Sequence, residues 1–242
     1  MTAIVDYGAG NLTSVRYAFA ACGVEAAVTR DPEVIRAADR VVFPGVGAAK
    51  SAMENLRALG LVEAVRAAAE AKPFLGICLG MQILFAHSEE DGGVETLGVL
   101  PGRVRRFPAA ADFKVPEMGW NQVRFVGAEG RDGEEEGQER REELEGRKTR
   151  EGQERLEGRE ASCPSCLSSP SSRLASRATP QTEYYFVHSY YAEIGPYTAG
   201  ITDYAGVEFT AFARKGRLWA CQFHPEKSGR VGLDLIKEWL SC

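Results

Sequence analysis

The chain has 242 residues, about 44% of them apolar, which suits one large or two small soluble domains with a substantial core. No apolar run approaches the roughly 18 residues needed to cross a bilayer, and Met1–Asp6 lacks the basic and apolar regions of a signal peptide, so a cytoplasmic, membrane-free protein is expected. The formal charge of −5 is local: residues 127–160 hold 13 acidic and 8 basic residues, the remainder carries 21 of each, and no basic stripe interleaved with aromatics implies nucleic acid.

Residues 2–125 read as alternating strands and helices. Ala3-Ile4-Val5 is an apolar run consistent with a buried strand, and Asn11 after the Gly8–Gly10 turn is a plausible N-cap. Leu12, Val15, Phe19 and Cys22 then share one helix face. A second strand spans 25–29, Asp31-Pro32 caps a short helix, and a third strand, 40–43, runs into Pro44-Gly45-Val46-Gly47. Two helical stretches split near Gly60 follow; 73–77 is a fourth strand, and Leu79 onward is a helix. This alternation predicts an α/β fold, a mostly parallel central sheet with helices on both faces. In such sheets the site lies at the carboxyl ends of the strands, here between the loops at 44–47 and 76–80.

Residues from about 127 to 182 are low in complexity, with Glu134-Glu135-Glu136, repeated Gly-Gln-Glu-Arg and a Ser- and Pro-rich stretch. They hold too little apolar area to offset the entropy of ordering, and read as a disordered or loosely helical surface insertion in a single domain spanning 1–242. Cys163 and Cys166 have C-x-x-C spacing without two further ligands nearby, so no metal site is assigned. The six cysteines are scattered along a long chain, unlike a disulfide framework, and fit reduced thiols. Past the insertion, 184–191 and 218–224 are strongly strand-like, and 232–240 closes the chain as a helix.

Gly76-Ile77-Cys78-Leu79-Gly80 has the form of a sharp strand-to-helix turn that lifts a central nucleophile above the sheet. A helix starting at Leu79 would favour the Cys78 thiolate, and the Leu79 amide can donate to a developing oxyanion. The other reading of the pentapeptide is a buried structural cysteine. A thiolate needs an acid–base partner, and the chain has three histidines, His87, His188 and His224. His224-Pro225-Glu226 follows a strand, and on extended backbone Glu226 would lie on the same side as His224 and orient its ring. The loop 44–47, with Val46 and Gly47, is either the other half of the oxyanion hole or an ordinary turn.

Gly-Ile-Cys-Leu-Gly-Met-Gln at 76–82 and His-Pro-Glu at 224–226 resemble the triad-type glutamine amidotransferases. Asp6–Leu12, Phe43–Gly47, Val115–Asn121, Phe186–Tyr190 and Gln222–Gly229 narrow the resemblance to the glutaminase subunit of imidazole glycerol phosphate synthase. That resemblance implies hydrolysis of glutamine through Cys78, His224 and Glu226, with Gln82 and Glu90 holding substrate, His188, Ser189 and Tyr190 lining the pocket, and no cofactor. It also implies a heterodimer with a cyclase subunit that receives the ammonia and makes imidazole glycerol phosphate and an aminoimidazole carboxamide ribonucleotide in histidine biosynthesis. Two departures stand out. The family usually shows His where this chain has Glu117, in a stretch that faces the partner. The crossing from about Phe125 to Tyr184 is usually short.

Competing readings keep the triad but feed another synthase, or treat the chain as a non-catalytic module; the motifs at 6–12 and 227–229 disfavour the first, and the intact Cys, His and Glu disfavour the second. His87 receives no role. Cys22, Cys221, Met53, Met81 and Met118 read as packing residues.

Overall fold

The computed structural model describes residues 1–109, 113–126 and 182–242. Apart from Thr182, the expected insertion, with Cys163 and Cys166, lies outside the described residues. Four strands open the chain: β1 (Thr2–Val5), β2 (Ala26–Thr29), β3 (Arg40–Gly45) and β4 (Phe74–Cys78). Between and after them lie the helices α1 (Leu12–Ala21), α2 (Pro32–Ala37), α3 (Ala49–Ala58), α4 (Val62–Ala71) and α5 (Leu79–Gln82). The rest is mostly strand: β5 (His87–Ser88), β6 (Val94–Glu95), β7 (Arg103–Arg106), β8 (Glu117–Gln122), β9 (Arg124–Phe125), β10 (Glu183–His188), β11 (Tyr190–Ala192), β12 (Thr198–Tyr204), β13 (Val207–Lys215) and β14 (Leu218–Cys221). Helix α6 (Gly229–Leu240) ends the fold.

The main sheet runs β2-β1-β3-β4-β14-β13-β11-β7-β5-β6, with β12 and β9 attached beyond β13. From β2 to β14 every pairing is parallel; past β14 the β13, β11 and β7 pairings are antiparallel. Alternating side chains explain the layering. In β1, Ala3 and Val5 pack with α2, α3 and α4, while Ile4 packs on the opposite face with Val15 and Phe19 of α1 and Leu235, Ile236 and Trp239 of α6. The expected caps form: Asn11 Oδ1 accepts from the Ser14 amide, and Asp31 Oδ1 accepts from the Glu33 amide ahead of Pro32.

The structure corrects four local expectations. The helix after Cys78 has only four residues, so it offers little accumulated dipole. The run 184–191 is two strands: β10 pairs antiparallel with β8 in a separate two-stranded sheet, whereas β11 crosses at Ser189 into the main sheet. Propensity registers extended backbone but not which sheet it joins. Strand β14 stops at Cys221, and Pro225–Lys227 is a 3₁₀ turn. Finally, Met53 and Met81 are buried, but Met118 is 65% exposed and Trp120 55%, because β8 turns Glu117 inward and these two outward.

Candidate active site

The centre begins where β4 breaks into α5. Cys78 adopts φ 55° and ψ −111°, a conformation costly for a side-chain-bearing residue that holds the sulfur off the strand end. Glycines make the turn possible. A Cβ on Gly80 would lie 1.9 Å from the Phe43 carbonyl oxygen, and one on Gly76 would lie 2.8 Å from the Gly80 carbonyl oxygen. The turn therefore rests directly on the backbone of β3 and β4. On the adjoining loop, a Cβ on Gly45 would meet the Gly80 nitrogen and the Tyr7 hydroxyl, each at 2.8 Å. Tyr7 itself is buried and stacks on Phe43 at 5.0 Å. Val46 and Gly47 follow, the latter at φ 92°.

His224 arrives from the neighbouring strand. Its amide donates to the Tyr185 carbonyl at 2.9 Å, and its carbonyl accepts from Ser228 Oγ at 2.7 Å. Nδ1 lies 2.8 Å from Glu226 Oε1, and both side chains are buried. The 3₁₀ turn at 225–227 brings the carboxylate back to the ring, where fully extended backbone was expected. Burial works against a charged ring, but interactions with Cys78 and Glu226 outweigh it and hold the His224 pKa up to about 10. Nε2 has no aligned hydrogen-bond partner among the described residues.

A cavity of about 320 Å³ opens at the sulfur, lined by Val46, Gly47, Leu79, Gln82, Glu90, His188, Ser189 and Tyr190 together with Cys78, Pro116 and Val187. Gln82 Nε2 donates to the Tyr190 carbonyl at 2.8 Å and to Gln222 Oε1 at 2.9 Å. Glu90 Oε2 accepts from the Ala49 amide at 2.5 Å, and burial raises its pKa. The His188 ring packs in an aromatic box of Phe107, Phe186 and Phe209. Its side chain is 2% exposed and faces Glu117. His87 is half-buried and lies outside the cavity lining.

Sequence reasoning gave no role to Gln222. Its side chain is fully buried, and Nε2 donates to Cys78 Sγ at 3.7 Å, while the thiol points to the Val187 carbonyl at 3.9 Å. Its position two residues before His224 was visible, but only the packing of β14 on β4 brings it beside the sulfur.

A buried cysteine on a strained turn, a buried His–Glu pair and a cavity of about 320 Å³ thus come together at the ends of adjacent strands. The sequence model of the family "Glutamine amidotransferase class-I" matches residues 3–240. A solved structure described as a glutamine amidotransferase superposes with a TM-score of 0.62 at 17% identity, covering 99% of this chain and 98% of that one, a likeness of fold. More specific are two relatives named imidazole glycerol phosphate synthase subunit HisH. The protein of Methylococcus capsulatus is 40% identical over 98% of this chain and 94% of its own length; that of Moorella thermoacetica is 42% identical over 98% and 92%. The chain belongs to this family of class-I glutamine amidotransferases, the glutaminase subunits of imidazole glycerol phosphate synthase.

Proposed function

We propose that this protein hydrolyses glutamine to glutamate and ammonia at Cys78, His224 and Glu226, and delivers the ammonia to a cyclase subunit that makes imidazole glycerol phosphate and an aminoimidazole carboxamide ribonucleotide in histidine biosynthesis. The observation that carries the reading is the shared site: the elbow cysteine opens into the cavity beside a buried histidine fixed at 2.8 Å by a glutamate.

Cys78 Sγ adds to the side-chain carbonyl carbon of glutamine, and the thiol proton passes to His224 Nε2. Backbone amides of Leu79 and of the Val46–Gly47 loop receive the oxyanion. His224 returns the proton to the leaving nitrogen, which departs as ammonia and leaves a glutamyl thioester. Water, deprotonated by His224, then cleaves the thioester to glutamate and regenerates the thiol. Glu226 holds the ring by Nδ1 and stabilises its charged form. Glu90 is placed to meet the substrate ammonium group, and Gln82, Ser189 and Tyr190 shape the wall, with His188 buttressing it.

The cyclase docks on the side of β8, where Met118 and Trp120 expose large apolar surface. The chain is one amidotransferase domain, interrupted at about 127–182, of a cytoplasmic heterodimer; no helix among the described residues is long and apolar enough to cross a membrane. The test is glutamate release by the chain alone and with a cyclase subunit carrying its nucleotide ligand. Stimulation by the loaded cyclase is expected; background release in both arms would sink the proposal.

A further inference from the structure

Glu117 stands where β8 pairs with β10, directly opposite His188. It is an acidic residue only 3% exposed, and no step of the reaction above uses it. Its Oε1 accepts from Asn121 Nδ2 at 2.9 Å, and the same Asn121 nitrogen donates to the Asp203 carbonyl at 2.9 Å. Its Oε2 lies 3.0 Å from His188 Nε2. On the other side of the ring, His188 Nδ1 lies 2.7 Å from the Tyr190 carbonyl.

The inventory of donors fixes one proton of the ring. A carbonyl oxygen only accepts, so Nδ1 carries hydrogen. Nε2 and Glu117 Oε2 approach to 3.0 Å without the alignment of a hydrogen bond, so the carboxyl group abuts the ring and holds it by close contact. Phe107, Phe186 and Phe209 pack around the ring with centroids at 5.3–5.7 Å and keep water out.

The chain of contacts continues to the sulfur. Gln82 Nε2 is the second donor to the Tyr190 carbonyl, at 2.8 Å, and it also donates to Gln222 Oε1 at 2.9 Å. Gln222 Nε2 in turn donates to Cys78 Sγ at 3.7 Å. We infer that Glu117 is a positioning residue for the reaction proposed above: through His188 it fixes the Tyr190 carbonyl, and through Gln82 and Gln222 it sets the placement of the Cys78 sulfur. Met118, the next residue of the strand, is 65% exposed, so the chain of contacts starts one residue from the outer surface.

The inference rests on the glutaminase reading, and its test separates the two. In the complex with the loaded cyclase, wild type, Glu117→Ala and Glu117→Gln are compared for kcat and KM of glutamine hydrolysis, for the rate of Cys78 alkylation by iodoacetamide, and for thermal midpoint. Glutamine at 117 can accept from Asn121 through its oxygen and place its amide nitrogen beside His188 Nε2, so it keeps the shape of the side chain without a charge. Glu117→Ala is expected to lower kcat about ten-fold, raise KM by about two-fold, and change the alkylation rate at least three-fold, at a temperature where all three proteins are folded. Glu117→Gln is expected to return kcat to within about two-fold of wild type. Wild-type kcat and alkylation in Glu117→Ala would overturn the inference and leave the glutaminase reading standing. Equal kcat losses in the two variants, or a kcat loss in Glu117→Ala with an unchanged alkylation rate, would also overturn it. Absence of hydrolysis by wild type would overturn the glutaminase reading instead.

Discussion

The two halves of the main sheet contribute to the site in different ways. The parallel half, β2 to β14, supplies Cys78, the 44–47 loop and His224 from the ends of adjacent strands, and local sequence dictates its geometry. The half beyond β14, with the separate β8–β10 pair, supplies the wall: His188, Ser189 and Tyr190 lie where the chain leaves one sheet for the other. The proposed reacting groups thus sit on tightly packed backbone, and the wall sits on long-range pairings that connect to an exposed surface.

Substitutions in the two regions test that contrast. The largest effect is expected for Cys78→Ala, which should cut glutamate release by on the order of 10⁴ or more while leaving folding and docking intact; appreciable turnover would remove Cys78 as nucleophile. The same variant bears on His224. With the ring's pKa raised to about 10, its protonation contributes stability fully below the unfolded value of about 6.5, and that contribution is lost as pH rises toward 10. Loss of the sulfur should move the His224 titration midpoint, followed by NMR, to lower pH. An unmoved midpoint would show that Cys78 does not hold the proton there.

Glu226→Gln should lower kcat by about 10²–10⁴ with little change in KM, because the ring loses its orienting carboxylate but the cavity is untouched. A loss confined to KM would argue against that role. Gly80→Ala comes next. Its methyl group would meet the Phe43 carbonyl oxygen at 1.9 Å, so chemical denaturation should show a loss of about 3 kcal/mol or more. A variant as stable as wild type would mean that the turn does not rest on β3 as closely as described.

Effects in the other region should be smaller. Trp120→Ala should weaken cyclase binding about ten-fold by titration while leaving the thermal midpoint of the free subunit within a few degrees; unchanged affinity would move the docking face elsewhere. The smallest effect is expected from replacing residues 128–181 by a short Gly/Ser linker. Val123 and Thr182 already meet, the Val123 amide donating to the Thr182 carbonyl, and Gln122 pairs with Glu183, so a short loop can close the gap. Loss of folding by circular dichroism would show that the segment is structural.

The first half of the fold was legible because its signals are local. Asn11 and Asp31-Pro32 mark helix starts, and apolar runs at 3–5, 40–43 and 73–77 mark buried strands, whichever partners they find. The second half was legible as strands but not as a topology. Nothing near Ser189 states that Phe186 pairs with Gly119 while Tyr191 pairs with Arg105. Met118 looked like a packing residue because its chemistry is apolar, and only the register of β8 turns it out to solvent.

The sequence alone determined the turn at Cys78: glycines at 76 and 80 are the residues that let a strand reverse against its neighbour's backbone and hold the residue between them off the strand end. The His224–Glu226 pairing was expected from the sequence on extended backbone, whereas a 3₁₀ turn makes the contact. Tertiary structure decided the rest. Gln222 reaches the sulfur only because β14 lies beside β4, and Glu117 reaches His188 only because β8 and β10 pair in one register. Such contacts depend on which distant segments are adjacent, a property set by the packing of the whole sheet and absent from the neighbourhood of any one residue.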